Sequence, residues 1–264
     1  MCRWAAYIGM PIYLEDVICR PGHSLVRQSH HATRCMTPVN ADGFGLAWYG
    51  DRPEPGHYRD IMPAWSDSNL KSLTATLKSH LFLAHVRAST GTATSRNNCH
   101  PFVVGKWSFM HNGQFGGYDS YRRHADALIT DEFYAHRKGA TDSEALFLMA
   151  LGEGLDGDPA GAMARATAKF ETLARQRGTA PYVRLTAAFS DGERLYALRY
   201  ASDDLAPSLY HRWSETRGGH AVVSEPLESD EADWQEVPPN SFCIFDGKTM
   251  QIADFSPERL RDVA

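Results

Sequence analysis

Cys2 invites chemistry because of its position in the chain. Removal of Met1 leaves its thiol and a free α-amine on one residue. An α-amine titrates at about 7.7–8.0 and a thiol at about 8.5, so the amine can take the thiol proton near neutral pH. Nucleophile and base then come from one residue at the head of an apolar run. The plain alternative is a small buried cysteine that opens a strand. His85, Cys99-His100 and His111 suggest a zinc site, yet their spacing matches no zinc signature and Pro101 stiffens the step, which favours a structural role. Taken singly, Asn112-Gly113 reads as a type I′ hairpin turn, Arg87 as an ion-pair residue and Asp142 as a partner of a helix dipole. The sequence has no Gly-rich phosphate loop, no G-x-S-x-G elbow and no H-E-x-x-H helix.

Those residues need a scaffold, and the hydrophobic pattern outlines one. Short runs rich in β-branched and aromatic residues predict strands over 3–8, 43–49, 81–87, 107–111, 182–190, 194–200, 221–224, 241–245 and 250–253. The first is expected to end in a turn at Gly9-Met10-Pro11. Asp191-Gly192 and Asp246-Gly247 mark hairpins. Helices are predicted over 68–79, with Leu70, Leu73 and Leu77 at helical spacing, and over 142–151, with Thr141 and Glu144 as a capping box. A third is predicted over 158–176, opened by Asp158-Pro159 and closed by Gly178. Strands, then helices, then strands again predict an α+β layered fold with largely antiparallel pairing rather than a doubly wound one. No internal repeat or long linker divides the chain, so residues 1–264 are expected to form one domain.

Six separated segments then carry a resemblance. They are Met1-Cys2-Arg3, Asn40-Ala41-Asp42-Gly43-Phe44-Gly45, Ala84-His85-Val86-Arg87-Ala88-Ser89-Thr90-Gly91, Cys99-His100-Pro101-Phe102, Phe109-Met110-His111-Asn112-Gly113 and Thr141-Asp142-Ser143-Glu144. In that order they resemble the class II glutamine amidotransferases, which are N-terminal-nucleophile (Ntn) hydrolases. The chain is most similar to their stand-alone branch, which includes γ-glutamyl hydrolases of the ergothioneine-biosynthesis type. Ser224-Glu225-Pro226-Leu227 fits the same branch.

The resemblance implies a four-layer αββα sandwich. It implies that Cys2 attacks the γ-carboxamide carbon of glutamine or a γ-glutamyl compound and forms a thioester. Asn112, by its side-chain amide, and Gly113, by its backbone N–H, would form the oxyanion hole. Arg87 would grip the substrate α-carboxylate and Asp142 its α-ammonium, with Thr90 shaping the pocket. Asp42 is expected to fix its loop. No cofactor and no metal is implied. Arg3 stands where larger amidotransferases carry Gly, so the pocket beside the nucleophile is expected to differ. A 264-residue chain leaves no room for an ammonia-using synthase, so ammonia would pass to a separate synthase subunit or water would be the acceptor. A contrasting reading is a non-catalytic protein that keeps the fold to bind a γ-glutamyl ligand or a partner.

Composition narrows the remaining classes. With 43% apolar and 22% charged residues, the chain is neither disordered nor dependent on disulfide staples. A formal net charge of −5 argues against a nucleic-acid partner, and the resemblance implies a small-molecule substrate, glutamine or a γ-glutamyl amide. No apolar run approaches the roughly 20 residues that cross a bilayer. The uncharged stretch over 4–14 lacks the basic flank and cleavage site of a signal peptide. The cysteines, Cys2, Cys19, Cys35, Cys99 and Cys243, are odd in number and irregular in spacing, which suggests a reducing, cytoplasmic setting.

Overall fold

Alternation of side chains along the strands dictates the layering. In the computed structural model, which describes residues 2–34, 38–89, 91–228 and 233–257, strand β1 (Arg3–Tyr13) buries both faces. Trp4, Ala6 and Ile8 enter one apolar cluster, and Ala5 and Tyr7 enter another. A strand buried on both sides has to lie inside a stack.

β1 is central to a seven-stranded antiparallel sheet. It pairs with β4 (Lys78–Val86) on one side and β10 (Gly219–Val223) on the other. β2 (Phe44–Trp48) and β3 (Gly56–Asp60) extend the sheet beyond β4; β9 (Tyr210–Ser214) and β11 (Gln235–Glu236) extend it beyond β10. The second sheet is six-stranded and antiparallel, in the order β13 (Met250–Asp254), β12 (Ser241–Phe245), β8 (Leu195–Ala201), β7 (Val183–Ser190), β6 (Trp107–Phe115), β5 (Phe102–Val104). Between the sheets, Trp4, Ala6, Leu81 and Leu83 meet Met110, Ala188, Ala197 and Phe245.

Helices close both outer faces. α1 (Glu15–Ile18), α2 (Leu25–His30) and α3 (Ser68–Thr76) cover the first sheet through Val17, Leu25 and Leu70. α4 (Tyr118–Asp126), α6 (Asp142–Gly152) and α7 (Pro159–Arg177) cover the second, where Tyr121, Phe147 and Phe170 pack on Phe109, Phe115 and Phe189. α5 (Asp131–Tyr134) abuts α6. The expected αββα sandwich is what forms. In α6, residues 145–151 are buried all round, as expected of a helix with no polar face. Among the described residues, no helix is long and apolar enough to cross a membrane.

Three local expectations need correction. Gly9-Met10-Pro11 is not a turn; β1 continues to Tyr13 through an irregularity between Ile8 and Ile12. Gly9 faces Gly219, and a Cβ on Gly9 would lie 2.4 Å from the Gly219 Cα, so glycine here allows close strand approach. Pro11 falls in the unpaired stretch, where its missing N–H breaks no ladder bond. Asn112-Gly113 is not a turn either, because both residues lie inside β6 opposite Thr186 and Leu185. The capping box is half made. Thr141 accepts the Glu144 N–H at 3.1 Å, but the Glu144 carboxylate turns to the Gly139 N–H and to buried Arg137, each at 2.7 Å. α7 matches its signals: Asp158 caps the Gly161 N–H and Gly178 ends the helix at φ +67°.

The second sheet's helical cover rests on Phe147, which is fully buried and stacked on Phe109 at 5.2 Å between centroids. Phe147→Ala is expected to lower unfolding free energy by about 3–5 kcal/mol, read as an earlier urea midpoint at unchanged slope.

Candidate active site

Cys2 immediately precedes Arg3, whose partner across the ladder is Val86. The Cys2 thiol donates to the Ala88 carbonyl at 3.5 Å. Burial pushes its pKa up, and the charges of Arg87 and Arg3 pull against that rise. A thiol held this way is protonated at neutral pH and needs a base to become a nucleophile.

Asn112 approaches from the opposite sheet. Met110 faces the interlayer, and by alternation Asn112 shares that side of β6. Its amide is buried, and neither Nδ2 nor Oδ1 bonds to another protein group. An unsatisfied buried polar group costs about 1–3 kcal/mol, so both amide atoms of Asn112 are free to bond a small molecule, water included. Gly113 follows at φ +145°, and a Cβ there would lie 1.9 Å from the Arg184 carbonyl oxygen. Only glycine fits, and its backbone stays open to close approach.

Arg87 and Asp142 belong to a second pair of positions. Arg87 is buried just past the end of β4. Its guanidinium donates to the Asp42 carbonyl at 3.2 Å, to Ser89 Oγ at 3.1 Å and to Thr92 Oγ1 at 2.6 Å. These acceptors are neutral, and no carboxylate pairs with Arg87 among the described residues. The Asp42 carboxylate instead takes the Ser89 N–H at 2.7 Å, fixing the loop as expected. Asp142 opens α6, accepting from the Ser143 N–H at 2.7 Å and from the Phe115 N–H at 3.3 Å. It lines a cavity of about 460 Å³ with Thr92, Gln114, Phe115, Gly117 and Thr141. Thr92 thus links the Arg87 guanidinium to the recess that holds Asp142. Thr90 lies outside the described residues. A larger depression of about 670 Å³ runs along α4 and α5, and none of the expected site residues lines it.

His85, His100 and His111 are buried close by. The rings of His85 and His100 lie 4.2 Å apart, and those of His100 and His111 lie 6.5 Å apart. Burial lowers all three pKa values, that of His85 to about 3, so they are neutral at physiological pH. His111 Nδ1 meets Ser143 Oγ at 2.8 Å, and Ser143 Oγ donates to Asp142 at 3.1 Å. No group of three His, Cys, Asp or Glu side chains is arranged to hold a metal among the described residues. Two residues that complete this network, Thr92 and Ser143, are not among those expected from the sequence. Ser143 sits inside one of the six segments; nothing local in the sequence marks Thr92.

A thiol at the head of a central strand, a buried amide without a protein partner and a recess that holds Asp142, joined through Thr92 to a buried guanidinium, are the features set against known proteins. The chain belongs to the class II glutamine amidotransferases, whose family description, "Glutamine amidotransferases class-II", matches residues 19–211. It is an enzyme of glutamine amide chemistry. Among its relatives is the probable glutamine amidotransferase DUG3 of Saccharomyces cerevisiae, 33% identical over 95% of this chain and 83% of that protein. A gamma-glutamyl-hercynylcysteine sulfoxide hydrolase of Mycolicibacterium smegmatis is 29% identical over 90% of this chain and 92% of that one. Among solved structures, a glutamine aminotransferase class-II domain protein from Silicibacter pomeroyi aligns at a TM-score of 0.78 with 48% identity, covering 97% of this chain and 100% of that one.

Removing the unsatisfied amide separates stability from function. Asn112→Leu is expected to leave thermal stability equal or higher while lowering amide hydrolysis about 10²–10³-fold, the usual worth of one oxyanion donor. Thermal unfolding and steady-state kinetics on the same preparation check both halves.

Proposed function

We propose that this enzyme hydrolyses the γ-amide bond of a small γ-glutamyl compound, glutamine included, through a thioester on Cys2. The observation that carries the reading is Arg87. It is a buried guanidinium bound, among the described residues, by neutral oxygens, one residue from the carbonyl that takes the Cys2 thiol. A planar guanidinium with no carboxylate partner is suited to a substrate carboxylate. Asp142, in the recess, takes the α-ammonium.

Once Met1 is removed, the Cys2 α-amine accepts the thiol proton and Sγ attacks the γ-carbonyl carbon. The carbonyl electrons move to oxygen, where the Asn112 Nδ2–H and Gly113 N–H stabilise the charge. The amine returns the proton to the departing nitrogen as the C–N bond breaks. Water then attacks the thioester, releasing the γ-carboxylate and restoring the thiol. The relatives support a γ-glutamyl amide as substrate and water as acceptor. A separate synthase subunit is the other destination for ammonia; the yeast relative's name, a probable glutamine amidotransferase, supports transfer but names no acceptor. The net charge of −5 supports a small-molecule ligand over nucleic acid or an anionic membrane surface. Free Cys2, Cys19, Cys99 and Cys243 support a reducing, cytoplasmic setting.

Intact-mass analysis after treatment with a glutamine-mimicking electrophile tests the nucleophile. The expected result is one adduct on Cys2 in protein lacking Met1, and none in Cys2→Ala. An adduct on Cys19 or Cys99 would overturn the assignment. Met1 retained on protein from its native cell would favour the non-catalytic reading. Arg87→Lys keeps the charge but loses the planar fork. It is expected to raise KM for a γ-glutamyl amide by roughly 10–100-fold, since hydrogen bonds to charged groups are worth about 1.5–3 kcal/mol.

A further inference from the structure

The mechanism leaves a buried ion pair unused beside the nucleophile. Arg3 Nε and Glu225 Oε2 lie 2.7 Å apart, and both side chains are 1% exposed. Burying two charges is costly unless further hydrogen bonds satisfy them, and a pair retained under that cost often fixes one geometry. Here the satisfaction is extensive. Glu225 accepts from His23 Nε2 at 2.6 Å, from the Thr33 hydroxyl at 2.6 Å, and from the Thr33 and Arg34 N–H groups at 2.9 and 3.1 Å. Burial alone would raise its pKa, but the bonds from His23 and Thr33 and the Arg3 charge hold it well below the usual carboxylate range.

The other prongs of Arg3 are as informative. Nη1 donates to the Cys2 carbonyl at 2.9 Å, and Nη2 donates to the Arg34 carbonyl. Pairing with β4 begins at Arg3, and pairing with β10 reaches only Ala5. Cys2 therefore lies beyond the ladder on both sides, where chain ends fray. The Ser224-Glu225-Pro226-Leu227 segment replaces the missing ladder. Ser224 Oγ takes the Trp4 N–H at 2.9 Å, and Glu225 holds the arginine that holds the Cys2 carbonyl.

We infer that Arg3 and Glu225 are positioning residues that hold the nucleophile residue and the 33–34 segment in one arrangement for attack. The inference rests on Cys2 as the nucleophile, and it accounts for arginine at a position where larger amidotransferases carry glycine. A Lys can meet Glu225, but it has no fork to reach the Cys2 and Arg34 carbonyls as well.

Three variants, Arg3→Lys, Glu225→Gln and the apolar pair R3M/E225L, test it, the last because well-packed apolar substitutes for a buried ion pair usually fold. In each folded variant kcat is expected to fall at least tenfold with KM within twofold of wild type. Labelling by the glutamine-mimicking electrophile should slow in parallel, while alkylation of Cys2 by iodoacetamide is not slowed. Amide hydrogen exchange should quicken at residues 3–4 and 33–34 more than elsewhere in β1. Unchanged kcat and unchanged exchange at 3–4 in folded R3M/E225L would overturn the inference. A rise in KM alone would overturn it too, because that marks a substrate contact. The reading of function fails separately, through a wild-type adduct away from Cys2; the exchange readout does not depend on turnover.

Discussion

The start of β1 is the point on which the fold converges. With Cys2 as the nucleophile proposed, rigidity at the thiol comes from the strand on its C-terminal side. β1 is paired on both sides, Trp4 and Ala6 pack against the second sheet, and Ala5 and Tyr7 pack under the first-layer helices. Moving the first residues of this strand would disturb three layers at once. The sandwich thus transmits packing order to Cys2, one residue beyond the regular ladder.

Some of the buried polar groups without a protein partner lie on the strands beside β1 and on those facing it. Asn112 offers both amide atoms, and His85, His100 and His111 carry ring nitrogens without partners. The histidines are neutral because burial penalises their charged form, so they are polar packing rather than counter-charges. The local field is left to Arg3 and Arg87 near the thiol, and to Asp142 at the far side of the recess. Such a site lowers the stability of the fold and is held in place by apolar clusters on either side.

How much of this was legible in the sequence depends on burial. β7 and β8, buried along almost their whole length, announce themselves through dense apolar and aromatic residues, β6 is marked only as far as His111, before the polar run Asn112-Gly113-Gln114, and α7 carries clear start and stop signals. β3 (GHYRD) and β11 (Gln235–Glu236) are polar strands with a single neighbour, so no apolar pattern marks them. β9 has two neighbours yet only half-buried side chains beyond Tyr210, and β5 is three residues long. Glycine misled twice, at Gly9 and Gly113, because strand crowding and a tight turn use the same residue for different reasons. The candidate site residues Cys2, Arg87, Asn112, Gly113 and Asp142 were named through separated segments rather than any local rule, and they sit at or beside β1, β4, β6 and α6, elements far apart in the chain. Glu225 was visible as a segment without a role, since its partner lies more than two hundred residues away.

With Arg87 and Asp142 in the roles proposed, the recess reads both charged groups on one α-carbon. A glutamine inside a polypeptide has neither, because its amine and carboxyl are tied up in peptide bonds. It would bring two uncharged groups and extra main chain to a recess walled by Thr92 and Gly117. On that reading, glutamines within polypeptide chains would be spared by the chemistry of the recess itself, with no gated chamber needed to keep the thiol from them.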